Sequence, residues 1–92
     1  MGQKNDKSQR DVQNLIDHAH DLLTEYDGEC HYMTRNAVQV STTERACVHR
    51  LDDAVDEIEY WMETSDAEAT SAALSELRYA IDLLNRHQGD TL

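Results

Sequence analysis

Residues 41–87 read STTERACVHRLDDAVDEIEYWMETSDAEATSAALSELRYAIDLLNRH. Apolar residues recur through this stretch at steps of three and four, which is the period of an amphipathic α-helix. Neither proline nor glycine interrupts the pattern. The stretch therefore predicts two helices, over residues 42–64 and 66–88. Their buried stripes comprise Cys47, Val48, Leu51, Ala54, Val55, Ile58, Trp61 and Met62 in the first, and Ala73, Leu74, Leu77, Ala80, Ile81 and Leu84 in the second.

The ends of these two helices carry recognisable start and stop signals. Ser41 and Glu44 have the spacing of a capping box, and so do Ser65 and Glu68. Gly89 follows the last apolar residue, at a position where helices commonly end. Because the connection between the two helices is so short, they should pack as an antiparallel αα-hairpin.

A third helix is predicted before them, over residues 8–27, and Gly28 would end it. Its apolar positions follow the same period: Val12, Leu15, Ile16, Ala19, Leu22, Leu23 and Tyr26. Residues 1–7 are expected to be a flexible N-terminus and residues 90–92 a C-terminal tail. The sequence thus predicts one mostly α domain over residues 8–89, a three-helix bundle built on the αα-hairpin. The predicted core comprises Leu15, Leu22, Leu51, Ile58, Trp61, Leu77, Ile81 and Leu84.

The segment between the first two helices loses the helical period. In residues 30–41 apolar and polar residues alternate around Cys30 and Tyr32 and again around Val38 and Val40. Alternation of this kind predicts a short β-hairpin. An irregular loop is the alternative.

The overall charge restricts the classes of partner. A net charge of −11 argues against direct binding to nucleic acid or to anionic membranes. No apolar run approaches the ~20 residues that span a bilayer. We therefore expect a cytoplasmic protein whose two cysteines, Cys30 and Cys47, are reduced thiols.

Catalytic and metal motifs are not recognisable. The sequence has no glycine-rich phosphate loop and no nucleophile elbow, so neither an enzyme nor a cofactor is predicted. Cys30-His31 and Cys47-x-His49 contain four zinc-ligand residue types, but residues two apart on a helix point about 160° from each other. We predict no metal site. His18 and His20 are interpreted as solvated surface histidines.

The acidic residues are concentrated in one part of the chain. Residues 51–77 carry nine acidic side chains and no basic one, whereas residues 1–50 carry eight acidic and six basic ones. On a helical wheel Asp52, Asp56, Glu59 and Glu63 fall within about 60° of one another, with Asp53 and Glu57 beside them. Like charges one turn apart repel, and the helix dipole disfavours acids near a C-terminus. Two local rules broken together indicate a functional surface.

Two further features extend this interpretation. Tyr60 points away from the core among the acids, and tyrosine is enriched in binding hot spots. The predicted partner-binding residues are Asp52, Asp53, Asp56, Glu57, Glu59, Tyr60, Glu63 and Asp66. The helix predicted over residues 66–88 also has a second apolar strip, Ala69, Ala72, Tyr79 and Leu83, which either contacts the helix predicted over residues 8–27 or forms a homodimer interface.

These observations favour a small acidic interaction module that covers a basic, nucleic-acid-binding surface of a partner protein. In size, charge and helical content the chain resembles small acidic inhibitors of phage or mobile elements, including DNA mimics among the anti-CRISPR proteins. The resemblance covers composition and charge layout, and no motif is shared. The alternative is a salt-adapted structural or assembly protein of a halophile, because Asp outnumbers Glu and Arg outnumbers Lys. An antitoxin-like assembly subunit is a third hypothesis.

Overall fold

The computed structural model describes the backbone of residues 2–27 and 33–92, and the side chains of residues 10–27 and 33–92. The elements follow in the order α1 (Gly2–Thr24), β1 (Tyr26–Asp27), β2 (Thr34–Arg35), β3 (Val38–Gln39), α2 (Thr42–Thr64) and α3 (Ala67–His87). The three predicted helices are confirmed, and α2 packs closely against α3. A small antiparallel sheet lies between α1 and α2 in the chain. None of the helices in the described part of the chain is long and apolar enough to cross a membrane.

The start of α2 agrees with the prediction, but only half of its capping box forms. The side chain of Ser41 accepts a hydrogen bond from the backbone N–H of Glu44 at 3.1 Å. In a full capping box the Glu44 carboxylate would accept from the N–H of Ser41. That N–H instead donates to the carbonyl of Asp90 at 3.2 Å. The Glu44 carboxylate is therefore free to turn inward.

The second predicted capping box, Ser65 to Glu68, is wrong. Ser65 ends α2 in the left-handed conformation, with φ of 60°, and its N–H donates to the carbonyl of Met62 at 3.3 Å. Asp66 is the N-cap of α3 and accepts from the N–H of Ala69 at 3.0 Å. Only two residues join the helices, so the left-handed residue that ends α2 cannot also adopt the extended conformation of an N-cap.

Helix α1 differs from the prediction at both ends. It begins at Gly2 and so includes residues 2–7, where the sequence indicated a flexible N-terminus. Extending an existing helix costs little, because each added residue gains a hydrogen bond. The helix ends at Thr24, before the predicted end at residue 27, because Tyr26 and Asp27 pair with β2 instead. Gly28, the predicted stop, lies outside the described residues.

The predicted β-hairpin is present in its second half. Strands β2 and β3 pair Thr34 with Gln39 and Arg35 with Val38. The two residues between them, Asn36 and Ala37, have φ of 55° and 64°. Two consecutive residues with positive φ are the signature of the type I′ turn, whose twist suits a two-residue hairpin. Cys30 and Tyr32, on which the first half of the prediction depended, lie outside the described residues.

Two partners of the hairpin were not predicted. Strand β1 pairs with β2, joining Tyr26 to Arg35. On the other side, Val40 bridges Thr91, and the N–H of Leu92 donates to the carbonyl of Gln39 at 3.4 Å. Residues 90–92, predicted as a C-terminal tail, thus bond to the segment that leads into α2.

One apolar core joins the three helices. Of the eight predicted core residues, six are buried: Leu22, Leu51, Ile58, Leu77, Ile81 and Leu84. Leu15 and Trp61 are only partly buried and pack against the edge of this core. Trp61 lies about 60° around α2 from Ile58, which moves it from the centre of the buried stripe to its flank.

Candidate functional site: the acidic face of α2

The predicted partner-binding acids lie on α2 and at the start of α3, and all of them are exposed. We define the acidic face as the six on α2: Asp52, Asp53, Asp56, Glu57, Glu59 and Glu63. They share the outer side of α2 because the apolar residues Val48, Leu51, Val55 and Ile58 turn the opposite side into the core. The structure therefore brings these six carboxylates together on one helix surface.

Four members of the acidic face form a row along the helix. Asp52, Asp56, Glu59 and Glu63 recur at steps of four, three and four. At 1.5 Å of rise per residue the row extends about 16 Å, with a carboxylate about every 5–6 Å. Phosphates on one strand of duplex DNA follow one another at roughly 6–7 Å along the backbone. Because the two spacings are similar, a basic surface that binds DNA phosphates can also bind this row of carboxylates.

Cations do little to neutralise this face within the described side chains. Its one contact there with a side chain that can carry a positive charge joins Glu59 Oε2 to His20 Nε2 at 3.5 Å, between α2 and α1. His20 is exposed, as its interpretation as a surface histidine requires, but its contact with α2 was not predicted. The last turn of α2 has no basic residue, whereas α3 ends with Arg86 and His87. The repulsion among the acids and with the helix dipole is thus mostly uncompensated.

An aromatic side chain lies among these acids. Tyr60 is 57% exposed, which agrees with its predicted orientation. Its ring makes an edge-on contact with Trp61, with centroids 4.9 Å apart and planes at 75°. Because Trp61 in turn packs against the core, it limits the positions that the Tyr60 ring can adopt. A restrained, exposed tyrosine loses little conformational entropy when a partner covers it.

Asp66 has a structural role that the prediction did not include. It is exposed, but its Oδ1 caps α3 by accepting from the N–H of Ala69, and its carbonyl accepts from Thr70 Oγ1 at 2.7 Å. Its position in the connection after α2 also separates it from the acidic face. Replacing Asp66 would destabilise α3 by about 1 kcal/mol, so its contribution to binding would be difficult to measure.

The zinc-ligand residue types do not form a cluster within the described residues. Cys47 is buried as a free thiol, while His49, two residues later, is exposed, as expected for opposite sides of a helix. Cys30 and His31 lie outside the described residues. Among the residues that the structure describes, no group of three or more potential ligands could hold a metal ion.

Sequence reasoning missed a buried polar network at the opposite end of the domain from the α2–α3 turn. Glu44 is fully buried, with 0% of its surface exposed. Its Oε2 accepts a short hydrogen bond from the hydroxyl of Tyr26 and lies 3.7 Å from Arg35 Nε. Its Oε1 accepts from the N–H of Gly89 at 3.2 Å. One carboxylate thus joins α2 to β1, β2 and the C-terminal segment.

This network changes the titration of its neighbours. Burial, and then the hydrogen bond to Glu44, raise the pKa of Tyr26 well above its ordinary value. Burial, and then the negative charge of Glu44, also raise the pKa of the Cys47 thiol. Both groups therefore remain protonated at neutral pH. The only sequence signal was the position of Glu44 in a capping motif, which gives no indication that its side chain is buried.

Comparison with known proteins leaves the site to be interpreted from its own residues. No protein-family model, no curated protein sequence and no solved structure matches this chain. The resemblance to small acidic inhibitors is accordingly one of composition and charge layout.

Proposed function

We propose that this protein is an inhibitory interaction module whose acidic face covers a basic, nucleic-acid-binding surface of a partner protein. The observation that carries this proposal is the exposure of all six acids of the face, with Tyr60 among them, on one side of α2. A cytoplasmic location, where such partners occur, is part of the proposal.

The charge of the acidic face and the spacing of its carboxylates both support this proposal. A groove built to hold a nucleic-acid backbone presents Lys and Arg at phosphate spacing, and the row of four carboxylates has a similar spacing. Opposite charges also accelerate association by steering the partners together. Leaving these acids largely unpaired lowers the stability of the free protein by a few tenths of a kcal/mol per like-charged pair, and a cationic partner would relieve this repulsion.

The test compares two variants that lose the same number of charges. In the first, Asp52→Asn, Asp56→Asn, Glu59→Gln and Glu63→Gln neutralise the row on α2. In the control, Asp11→Asn, Asp17→Asn, Asp21→Asn and Glu25→Gln neutralise three exposed acids of α1 and the exposed Glu25 directly after it. Each protein is immobilised and exposed to a nuclease-treated cell lysate, and bound proteins are then challenged with duplex DNA.

We expect the wild type and the α1 variant to retain basic nucleic-acid-binding proteins that duplex DNA displaces, and the α2 variant to retain none of them. Tyr60→Ala should weaken binding of a retained partner by about 1–2 kcal/mol, roughly tenfold, without unfolding the protein. Retention by the α2 variant, or its loss in the α1 variant, would contradict the proposal.

A salt-adapted protein is the second candidate, because exposed acids also occur on the other helices. They include Asp11, Asp17 and Asp21 on α1, Glu25 directly after it, and Glu68, Glu76 and Asp82 on α3. Surface repulsion of this kind is screened by salt. A protein that is unfolded below about 0.5 M salt and folded above it would support this candidate against the inhibitor, and a cooperative thermal melt in dilute buffer would do the reverse.

A further inference from the structure

The outward side of α3 carries a series of exposed residues with the spacing of a helix–helix interface. Its positions follow alternating steps of four and three, as in a coiled coil. We define the outer seam of α3 as these six exposed residues: Glu68, Ala72, Ser75, Tyr79, Asp82 and Arg86. The buried residues of α3 face the opposite way: Ala73, Leu77, Ala80, Ile81 and Leu84.

The structure corrects the apolar strip that the sequence suggested for this helix. Leu83 is partly buried against the core, and Ala69 is also partly buried. Ala72 and Tyr79 are exposed. The strip is therefore divided: one part packs within the chain, and the exposed part belongs to the outer seam.

The charges of the outer seam are complementary to those of a second, antiparallel copy. Glu68 and Arg86 lie five turns apart, about 27 Å, on either side of a midpoint between Ser75 and Tyr79. When a second α3 runs antiparallel about that midpoint, Glu68 of each copy meets Arg86 of the other. Beside the seam, Glu76 and Arg78 lie on opposite flanks, where each meets its own counterpart, so the complementarity rests on Glu68 and Arg86 alone. The helix dipoles are also antiparallel in this arrangement.

Tyr79 supplies an apolar contact at the centre of this arrangement. It is 50% exposed, and the guanidinium carbon of Arg50 lies 5.0 Å from its ring centroid, which restrains the ring. The antiparallel register places it opposite Ser75 of the other copy, one turn from Ala72. Both of these side chains are small, so they leave room for the tyrosine ring as a knob fits a hole.

We propose that the protein forms an antiparallel dimer of two identical chains through the outer seam of α3. Two Glu68–Arg86 ion pairs form the ends of this interface, and two Tyr79 rings pack at its centre. The acidic face of α2 is not part of this contact and stays open, so the dimer is independent of the proposed inhibitory function. With few apolar residues and one helix from each chain, the interface is smaller than a stable one, and we expect weak association that requires a high protein concentration.

Within one chain Arg86 already pairs with Asp82 at 2.8 Å, and the acid and base at the two ends of α3 suit its own dipole. Their effect on the dimer must therefore be separated from their effect on the single chain. Arg86→Glu places like charges at both ends of the seam. The double variant Glu68→Arg with Arg86→Glu reverses both ends and restores opposite charges across the dimer. Within one chain, however, the double variant opposes the dipole at both ends. If the dimer forms, adding Glu68→Arg to Arg86→Glu should restore association. If the two residues act only within one chain, the added change should restore nothing.

Sedimentation velocity measured from about 10 µM to about 1 mM gives the result. The wild-type mass should rise with concentration from the 10.5 kDa of one chain towards twice that value. We expect Arg86→Glu and Tyr79→Ala each to raise the dissociation constant at least about tenfold, and the double variant to return to within about threefold of wild type. Arg10→Glu on α1, which changes the net charge as Arg86→Glu does, should leave association unchanged.

Circular dichroism at low concentration verifies that each variant is folded, as expected for exposed positions. A wild-type protein that stays monomeric at about 1 mM would overturn the proposal. Failure of the double variant to associate, while it remains folded, would equally overturn it.

Discussion

Glu44→Ala removes the carboxylate on which β1, β2 and the C-terminal segment converge. Two hydrogen-bond donors lose their acceptor: the Tyr26 hydroxyl and the N–H of Gly89. The third neighbour, Arg35, keeps 23% of its side chain exposed and can turn to water. The damage therefore comes mainly from the two donors and from the space that the side chain leaves.

The size of the effect follows from these contacts. A fully buried donor without a partner costs about 1–3 kcal/mol, and these two donors, which are only partly buried, should lie near the lower end of that range. The packing lost with the fully buried Glu44 side chain adds to this. We expect Glu44→Ala to lower the free energy of unfolding by about 3–5 kcal/mol, out of the ~5–15 kcal/mol typical of a domain. At 4–8 °C per kcal/mol, the melting temperature should fall by at least about 12 °C. Glu44→Gln keeps one acceptor oxygen and should cost about 1–2 kcal/mol.

Urea denaturation at pH 7, followed by circular dichroism, measures these losses, with Glu57→Ala as an exposed control expected to change stability by less than about 0.5 kcal/mol. Tyr26→Phe should cost about 1–2 kcal/mol by itself, and less than that in the Glu44→Gln background, because the two groups share one hydrogen bond. A loss of less than about 1 kcal/mol in Glu44→Ala would refute the view that this carboxylate holds the three segments together.

Two other predictions concern the turn and the buried phenol. Ala37→Gly should raise the free energy of unfolding by about 0.5–1 kcal/mol, because Ala37 has φ of 64°, which glycine adopts without strain. The control Ala46→Gly, on the exposed side of α2, should lower it by a similar amount. If both variants are less stable than wild type, Ala37 is not strained. The raised pKa of Tyr26 means that above about pH 10 the unfolded chain loses a proton that the folded chain keeps, so stability should be complete below that pH and fall as pH rises beyond it. In urea titrations across this range Tyr26→Phe should fall less steeply than wild type, whereas Tyr60→Phe should follow wild type; equal slopes for all three would exclude Tyr26 as the source.

The sequence by itself determined the helices and the outward orientation of the acids. The apolar period of α2 predicted its limits, Thr42 and Thr64, and the exposed side that carries the acidic face. These features are local, because which residues share a side of a helix depends only on 3.6 residues per turn. The exposure of Tyr60 followed from the same geometry.

Features that depend on contacts between distant segments were missed. Tyr26 has the spacing of one more apolar helix position, yet it lies in β1, because pairing with β2 and the hydrogen bond to Glu44 outweigh the local preference for helix. Glu44 matches a capping box, but the carbonyl of Asp90 takes the N–H that its side chain would have bonded. Neither partner is near in sequence, so no local pattern could reveal it.

The division between the two kinds of information is clearest within α2. Periodicity predicted that Glu59 faces outward and Ile58 inward, since rotation about one helix axis decides it. Only the tertiary structure placed His20 of α1 beside Glu59, and moved Trp61 from the core to its edge. The direction of a side chain is set within its own helix, but its neighbours depend on how the helices pack, which the free energy of the whole chain decides.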